Sequence, residues 1–115
     1  MEFSKIEVIT SMNKLTDLKA ALSKVGVSGI TVTQVIGCGV QHGSFEYAVN
    51  QNVEMELLPK QLIMIIIENE KVDQVVELIK KELYTGHIGD GKIIISPVSN
   101  VIRVRTGEEG MDALK

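Results

Sequence analysis

The chain has 115 residues, 44% of them hydrophobic, which is the size and composition of one small globular domain. Aromatic residues make up only 3% and tryptophan is absent, so the chain lacks the stacking side chains that single-stranded nucleic-acid binding uses. The formal net charge of −3 also argues against a general polyanion binder, and we therefore expect no nucleic-acid partner.

The sequence begins with a predicted β-α-β unit. Residues 6–9 (IEVI) favour a short strand, and Asn13 is suited to cap the helix that follows. Apolar residues at helical spacing indicate this helix, namely Leu15, Leu18, Leu22 and Val25. Gly26 is suited to end it. Residues 30–36 are β-branched and partly alternating, so they predict a second strand that ends at residues 37–39.

A second β-α-β unit follows. Residues 61–67 (QLIMIII) are apolar on both faces, as expected of a central strand that is covered on both sides. Asn69 is suited to cap a helix with the apolar positions Val72, Val75, Val76, Ile79 and Leu83. Residues 92–95 (KIII) start a fourth strand. Two such units, about 55 residues apart, predict a ferredoxin-like α+β fold.

The strands also predict an oligomer. A ferredoxin-like sheet carries its helices on one face, so the other apolar face would be buried between subunits.

The chain, 1–115, is predicted to be a single domain with two irregular stretches, 40–58 and 99–115. A segment as long as 40–58 is typically functional or mobile, and an exposed hairpin is the alternative.

The sequence favours a cytoplasmic protein. Its single cysteine, Cys38, excludes an internal disulfide, and the N-terminus lacks a basic region followed by a long apolar run. The longest apolar run, 62–67, is far shorter than the about 20 residues needed to cross a bilayer. We therefore expect no direct membrane insertion.

Residues 85–92 (TGHIGDGK) contain the spacing G-x-x-x-x-G-K of a phosphate-binding loop. The context differs, because the segment follows a predicted helix, opens a predicted strand and continues with Ile93 instead of Ser or Thr. Three glycines and Lys92 still favour an anion site, because backbone N–H groups can approach the anion closely. The alternative is a simple turn between helix and strand.

Other motifs are weaker. Arg103 and Arg105 would project on the same side of an extended chain and suit phosphate oxygens, with a solvated strand face as the alternative. Residues 37–43 do not complete the dinucleotide motif G-x-G-x-x-G, because His42 stands at its third glycine position. No set of nucleophile, base and orienting group is visible, which argues against an enzyme.

The chain resembles the PII signal-transduction proteins over nearly its whole length. Residues 85–92 are similar to the family's B-loop, and residues 102–110 (IRVRTGEEG) match a second family segment. Residues 37–41 (GCGVQ) and 58–60 (LPK) bracket a segment of the length of the family's T-loop, 40–58. The resemblance implies a regulatory homotrimer of ferredoxin-like subunits, with ADP or ATP bound in the clefts between subunits.

The resemblance also assigns residues to the nucleotide site. They are Thr31, Gly37, Gly39, Gln41, Ile66, Gly89, Asp90, Gly91, Lys92, Arg103 and Arg105. In such proteins the B-loop, 84–92 here, wraps the phosphates, and the paired arginines arrive from the neighbouring subunit. Val40 replaces the usual arginine near the terminal phosphate of ATP, and Met64 replaces a frequent glutamate, so we expect only a weak preference for ATP over ADP.

Gln41 and Lys60 match residues that hold Mg²⁺ and the carboxylate of 2-oxoglutarate in members that bind both. The Arg-Pro pair common in the family is Ser11-Met12 here. The sequence is therefore compatible with Mg²⁺ and 2-oxoglutarate as further ligands and equally with their absence.

The T-loop segment is the implied partner-binding surface, through Ser44, Phe45, Glu46, Tyr47, Gln51 and Val53. The tyrosine that some members have uridylylated aligns with Val53, and the serine that others have phosphorylated aligns with Gln51. Control by ligand occupancy is therefore expected instead of covalent modification. The resemblance implies a membrane transporter or a metabolic enzyme as partner. The alternative function is a nucleotide-hydrolysing or nucleotide-transferring enzyme that uses the same cleft.

Overall fold

The computed structural model describes residues 2–11, 14–39, 56–86 and 90–115. Its elements are β1 (Phe3–Thr10), α1 (Leu15–Lys24), β2 (Thr31–Gly39), β3 (Glu56–Glu68), a 3₁₀ turn (Asn69–Lys71), α2 (Val72–Leu83), β4 (Lys92–Val98) and α3 (Met111–Leu114). The strands form one antiparallel sheet in the order β2-β3-β1-β4. The predicted ferredoxin-like α+β fold is confirmed.

One face of the sheet packs against α1 and α2. The register pairs Ile6 with Ile65 and Val8 with Ile63, so alternate residues of β1 and β3 point together into the core. The buried cluster consists of Ile6, Val8, Leu18, Leu22, Val27, Ile63, Ile65, Ile67, Val75, Ile79 and Leu83. Burial of each such side chain stabilises the fold by about 1.5 to 3 kcal/mol, so this cluster fixes which face carries the helices.

The sequence predicted where α1 ends and where α2 begins, and the structure confirms only the end of α1. Gly26 has a positive φ of 88° and donates its N–H to Ser23, so it ends α1 as predicted. Asn13 lies outside the described residues. Asn69 is not the N-cap of α2, because a 3₁₀ turn precedes that helix. Its side-chain oxygen instead accepts a hydrogen bond from the Ser4 hydroxyl at 2.6 Å, which ties the turn to β1.

The opposite face of the sheet, here called the open face, is packed against neither α1 nor α2. Leu62, Met64 and Ile66 of β3 are only half-buried there, and Ile94 of β4 is 45% exposed. Phe3 is an exception, because Gly110 of the C-terminal segment lies against its ring. Most of the apolar open face therefore remains available for contact with another subunit.

Strands β2 and β3 continue beyond the rest of the sheet. β1 ends at Thr10, opposite Gln61, whereas β2 and β3 stay paired through Gly39 and Glu56. We call residues 35–39 and 56–60 the arm. The prediction that 40–58 is irregular throughout is wrong at its end, because residues 56–58 continue the ladder with residues 37–39. The described chain measures 57 × 24 × 22 Å.

The C-terminal stretch is more ordered than predicted. Ile102 and Glu109 form an isolated bridge, and α3 follows. The Arg103 N–H donates to the Glu108 carbonyl oxygen at 2.9 Å, and the Gly107 N–H donates to the Arg103 carbonyl oxygen at 2.8 Å. Residues 104–106 therefore form a turn, and the extended arrangement predicted for the two arginines is wrong.

No helix in the described ranges is long and apolar enough to cross a membrane.

Candidate functional site

The glycine-rich loop after α2 is held by Asp90. Its carboxylate accepts the backbone N–H groups of Thr85 at 2.9 Å and Gly86 at 3.0 Å, together with the Thr85 hydroxyl. The Asp90 carbonyl oxygen accepts a hydrogen bond from the Thr10 hydroxyl at 3.1 Å. Asp90 thus fixes the loop to itself and to the end of β1. The resemblance assigned Asp90 to the nucleotide site, and in the structure the Asp90 carboxylate holds the shape of the loop.

Gly91 is required by close packing of the loop against β1. Its φ is 107°, and an added Cβ would overlap the carbonyl oxygen of Ile9 and lie 3.2 Å from the Thr10 Cβ. Gly86 also has a positive φ, 82°, whereas Gly89 lies outside the described residues. The turn alone therefore accounts for two of the three glycines, and the case for an anion rests more on Lys92.

Lys92 begins β4 and is exposed. It lines a cleft of about 200 Å³ between the end of α2 and the start of β4, whose apolar residues include Val8 and Leu83. Lys80 lines the same cleft but forms an ion pair with Glu77 at 3.2 Å. In the described part of the chain, no carboxylate lies within ion-pair distance of Lys92. Its ammonium is thus available to an external anion.

A second cleft contains other predicted site residues. It has a volume of about 270 Å³ and brings together Thr31 at the start of β2, Ile66 near the end of β3, and Arg103. Thr31 and Met64 both line the cleft, and they are paired with each other in the β2–β3 ladder. Part of this cleft is formed by the C-terminal residues 113–115.

Arg103 is half-buried and contacts the end of the chain. Its Nη2 donates to the backbone oxygens of Ala113, at 3.2 Å, and of Lys115. Arg105 lies in the preceding turn and is exposed. Sequence reasoning did not find the contribution of residues 113–115 to the cleft, because the four residues of α3 are too few to show a helical hydrophobic pattern.

Gly37 and Lys60 come together on the arm. Gly37 is paired with Leu58, and a Cβ at Gly37 would lie 3.1 Å from the Lys60 Cγ. The lysine stem therefore lies across the glycine, whose missing side chain leaves room for it. Gly39 ends the arm opposite Glu56.

The remaining predicted site residues lie outside the described ranges. They are Gln41 of the proposed ligand site and Ser44, Phe45, Glu46, Tyr47, Gln51 and Val53 of the partner-binding segment. Val40, on which the expected weak preference for ATP depends, is also outside them. Within the described ranges, no group of three or more His, Cys, Asp or Glu side chains could hold a metal ion.

A single chain keeps the two clefts apart. Lys92 is paired with Ile9 of β1, whereas Ile66 is paired with Lys5 of β1 and lies two strands away from β4. From the rise per residue and the spacing of strands, the Cα atoms of Lys92 and Ile66 are roughly 16 Å apart. The described residues thus form two partial sites, one with Lys92 and one with Arg103.

Comparison with known proteins identifies a family with this arrangement of elements. The family model described as nitrogen regulatory protein P-II matches residues 3–108. The nitrogen regulatory protein P-II of Cyanidium caldarium is 46% identical over 112 residues, which cover 97% of this chain and 99% of that protein.

Solved structures agree with the fold. The complex of B. subtilis GlnK with ATP matches with a TM-score of 0.84 at 38% sequence identity, and the match covers 98% of both chains. Arabidopsis thaliana PII bound to citrate matches with a TM-score of 0.78 at 36% identity, covering 97% of this chain and 92% of that chain.

Proposed function

Because the chain belongs to the nitrogen regulatory protein P-II family, we propose that it binds ADP or ATP between the subunits of a homotrimer and thereby controls a partner protein. The predicted resemblance of the chain to the PII proteins is confirmed. The similar proteins are named as regulatory proteins, and the chain is accordingly a regulator and not an enzyme, as predicted. The alternative of nucleotide hydrolysis or transfer is therefore set aside.

One observation carries the proposed nucleotide site. The cleft with Lys92 and the cleft with Arg103 each offer a cation, yet one chain keeps them apart. A polyphosphate that uses both cations needs two subunits, with the loop of one beside the arginine of the next. The solved complex of B. subtilis GlnK with ATP supports an adenine nucleotide as the ligand.

We expect light scattering to give a mass three times the 12.6 kDa of one chain. The physical reason is the open face, where Leu62, Met64, Ile66 and Ile94 would otherwise remain in contact with water. A monomeric mass at micromolar concentration would contradict both the trimer and a site shared between subunits. The same measurement serves as the control for every variant below.

Calorimetric titration with AMP, ADP and ATP tests the proposed function directly. We expect binding of ADP and ATP without release of inorganic phosphate, and ATP should bind less than about a hundredfold more tightly than ADP. The limit follows from Val40, which supplies no cation for the terminal phosphate. A larger ratio would require another cation that contributes about 2.7 kcal/mol.

Titrations repeated with Mg²⁺ and with 2-oxoglutarate test whether Gln41 and Lys60 hold these ligands.

Residues 40–58 are proposed to bind the partner, which is a membrane transporter or a metabolic enzyme. The arm supports this role, because Gly39 and Glu56, which flank residues 40–55 in the sequence, belong to a ladder that extends beyond the end of β1. We expect deletion of residues 44–53 to abolish partner capture and to leave the trimer and ADP affinity nearly unchanged. Retained capture of the same partner, or loss of the trimer, would assign the segment a different role.

A further inference from the structure

Arg103 cannot offer its full fork of donors while it contacts the end of its own chain. Both described side-chain bonds of Arg103 use Nη2, whose two N–H groups point to the backbone oxygens of Ala113 and Lys115. An end-on bidentate contact with phosphate takes one N–H from each terminal nitrogen of the guanidinium. The contact with residues 113–115 therefore competes with that geometry.

A hairpin-like turn returns the chain to Arg103. The bridge between Ile102 and Glu109 closes the turn, and the Gly110 N–H donates to the Val101 carbonyl oxygen at 2.9 Å. Gly110 has a positive φ of 64°, which redirects the backbone into α3. Arg103 and the residues that accept its hydrogen bonds, Ala113 and Lys115, are thus only 10 and 12 residues apart in the chain.

Residues 111–115 are here called the latch, and residues 113–115 of the latch form one wall of the cleft that contains Thr31 and Ile66. A second bond holds the latch there, from the hydroxyl of Ser28 to the Leu114 carbonyl oxygen at 2.9 Å. No residue of the latch is buried. A short segment held mainly by hydrogen bonds near the surface opens at low free-energy cost.

From these contacts we propose that the latch is an internal competitor of the nucleotide, because the latch must release Arg103 before the phosphates can engage the arginine. The proposal rests on the proposed nucleotide site. A phosphate is a charged acceptor, whereas the Ala113 carbonyl oxygen belongs to a neutral peptide group, so the arginine exchanges this weaker bond for a stronger one when the phosphate binds. Because closed and open latch differ in nucleotide affinity, the two equilibria are coupled.

Removing the latch tests the competition. A variant that ends at Gly110 retains every residue that the family model matches, 3–108, and retains Arg103. We expect it to bind ADP about three- to tenfold more tightly than the full chain, because no fraction of the sites is then held closed. Ser28→Ala, which removes one latch bond and leaves the chain length unchanged, should raise ADP affinity in the same direction by a smaller factor.

The outcomes separate this inference from the proposed function. If the full chain binds ADP and both trimeric variants bind it equally well or less tightly, the latch is not a competitor, and the nucleotide site stands. If neither the full chain nor the shortened variant binds ADP, both proposals fail. If only the shortened variant binds ADP, both are supported, with a latch that is closed in nearly all molecules.

Hydrogen exchange gives a second test. A bound ligand usually slows amide exchange in the residues that it contacts, whereas release of the latch should speed up amide exchange in the latch. Saturating ADP should increase amide exchange in residues 111–115 of the full chain, while exchange in residues 90–92 decreases. Increased protection of the latch by ADP would overturn the inference, because it would make the latch part of the bound site.

Discussion

Replacing Lys92 with alanine is expected to weaken ADP binding by about ten- to a hundredfold, with the trimer intact. The change removes an exposed ammonium that has no ion-pair partner among the described residues. A charge-assisted bond to phosphate contributes roughly 1.5 to 3 kcal/mol, which corresponds to this loss in affinity. The measurement is calorimetric titration with ADP.

Two control variants make the Lys92 result specific. Lys19→Ala removes an exposed lysine of α1 and changes the net charge by the same amount, so it should leave ADP affinity within about twofold. Lys92→Arg keeps the charge and should retain most of the affinity. Unchanged binding by a trimeric Lys92→Ala variant would remove this cleft from the nucleotide site. Arg103→Ala is less direct, because it removes a proposed phosphate donor and a latch contact together.

Gly91→Ala is expected to be more destabilising than Gly86→Ala, the other described glycine of the loop, and to cost about 3 kcal/mol, or roughly 10 °C in Tm. The added Cβ would overlap the Ile9 carbonyl oxygen, and alanine would also have to adopt a φ of 107°. Because the Ile9 backbone is held between β3 and β4, it cannot move aside easily. Thermal unfolding at fixed protein concentration measures the loss.

Two other glycines separate the causes of that loss. At Gly107 the φ is 75° but an added Cβ meets no atom within 4 Å, so alanine should cost only the backbone strain, about 1 to 2 kcal/mol. At Gly29 an added Cβ also meets nothing and the φ is not left-handed, so alanine should leave Tm unchanged or slightly raise it. A Gly91 variant no less stable than the Gly107 variant would show that the loop moves away from Ile9.

Much of the fold could be predicted from the order of apolar residues. The four strands and two long helices each carry a pattern that depends on nearby residues, such as the buried positions Val75, Ile79 and Leu83 of α2. The end of α1 at Gly26 follows from the freedom of glycine to adopt a positive φ. Such local causes are present in the sequence itself.

Features that depend on distant partners were predicted less well. Residues 56–58 belong to β3 because residues 37–39 pair with them, and no alternation in the segment itself indicates this. The Asp90 carbonyl oxygen accepts a hydrogen bond from the hydroxyl of Thr10, 80 residues away in the chain, and the loop motif does not indicate this contact. The two partial sites could be predicted as motifs, but their separation depends on strand order.

The arm has a consequence for how such a regulator can diversify. Because Gly39 and Glu56 face each other across a ladder, the residues between them start and finish at neighbouring points. Closing a connection between neighbouring points costs only about 0.6 kcal/mol more for each doubling of its length. Insertions between residues 40 and 55 that leave this pairing intact are therefore expected to cost little loop-closure free energy. Evolution can alter the proposed partner-binding segment almost independently of the sheet that carries it.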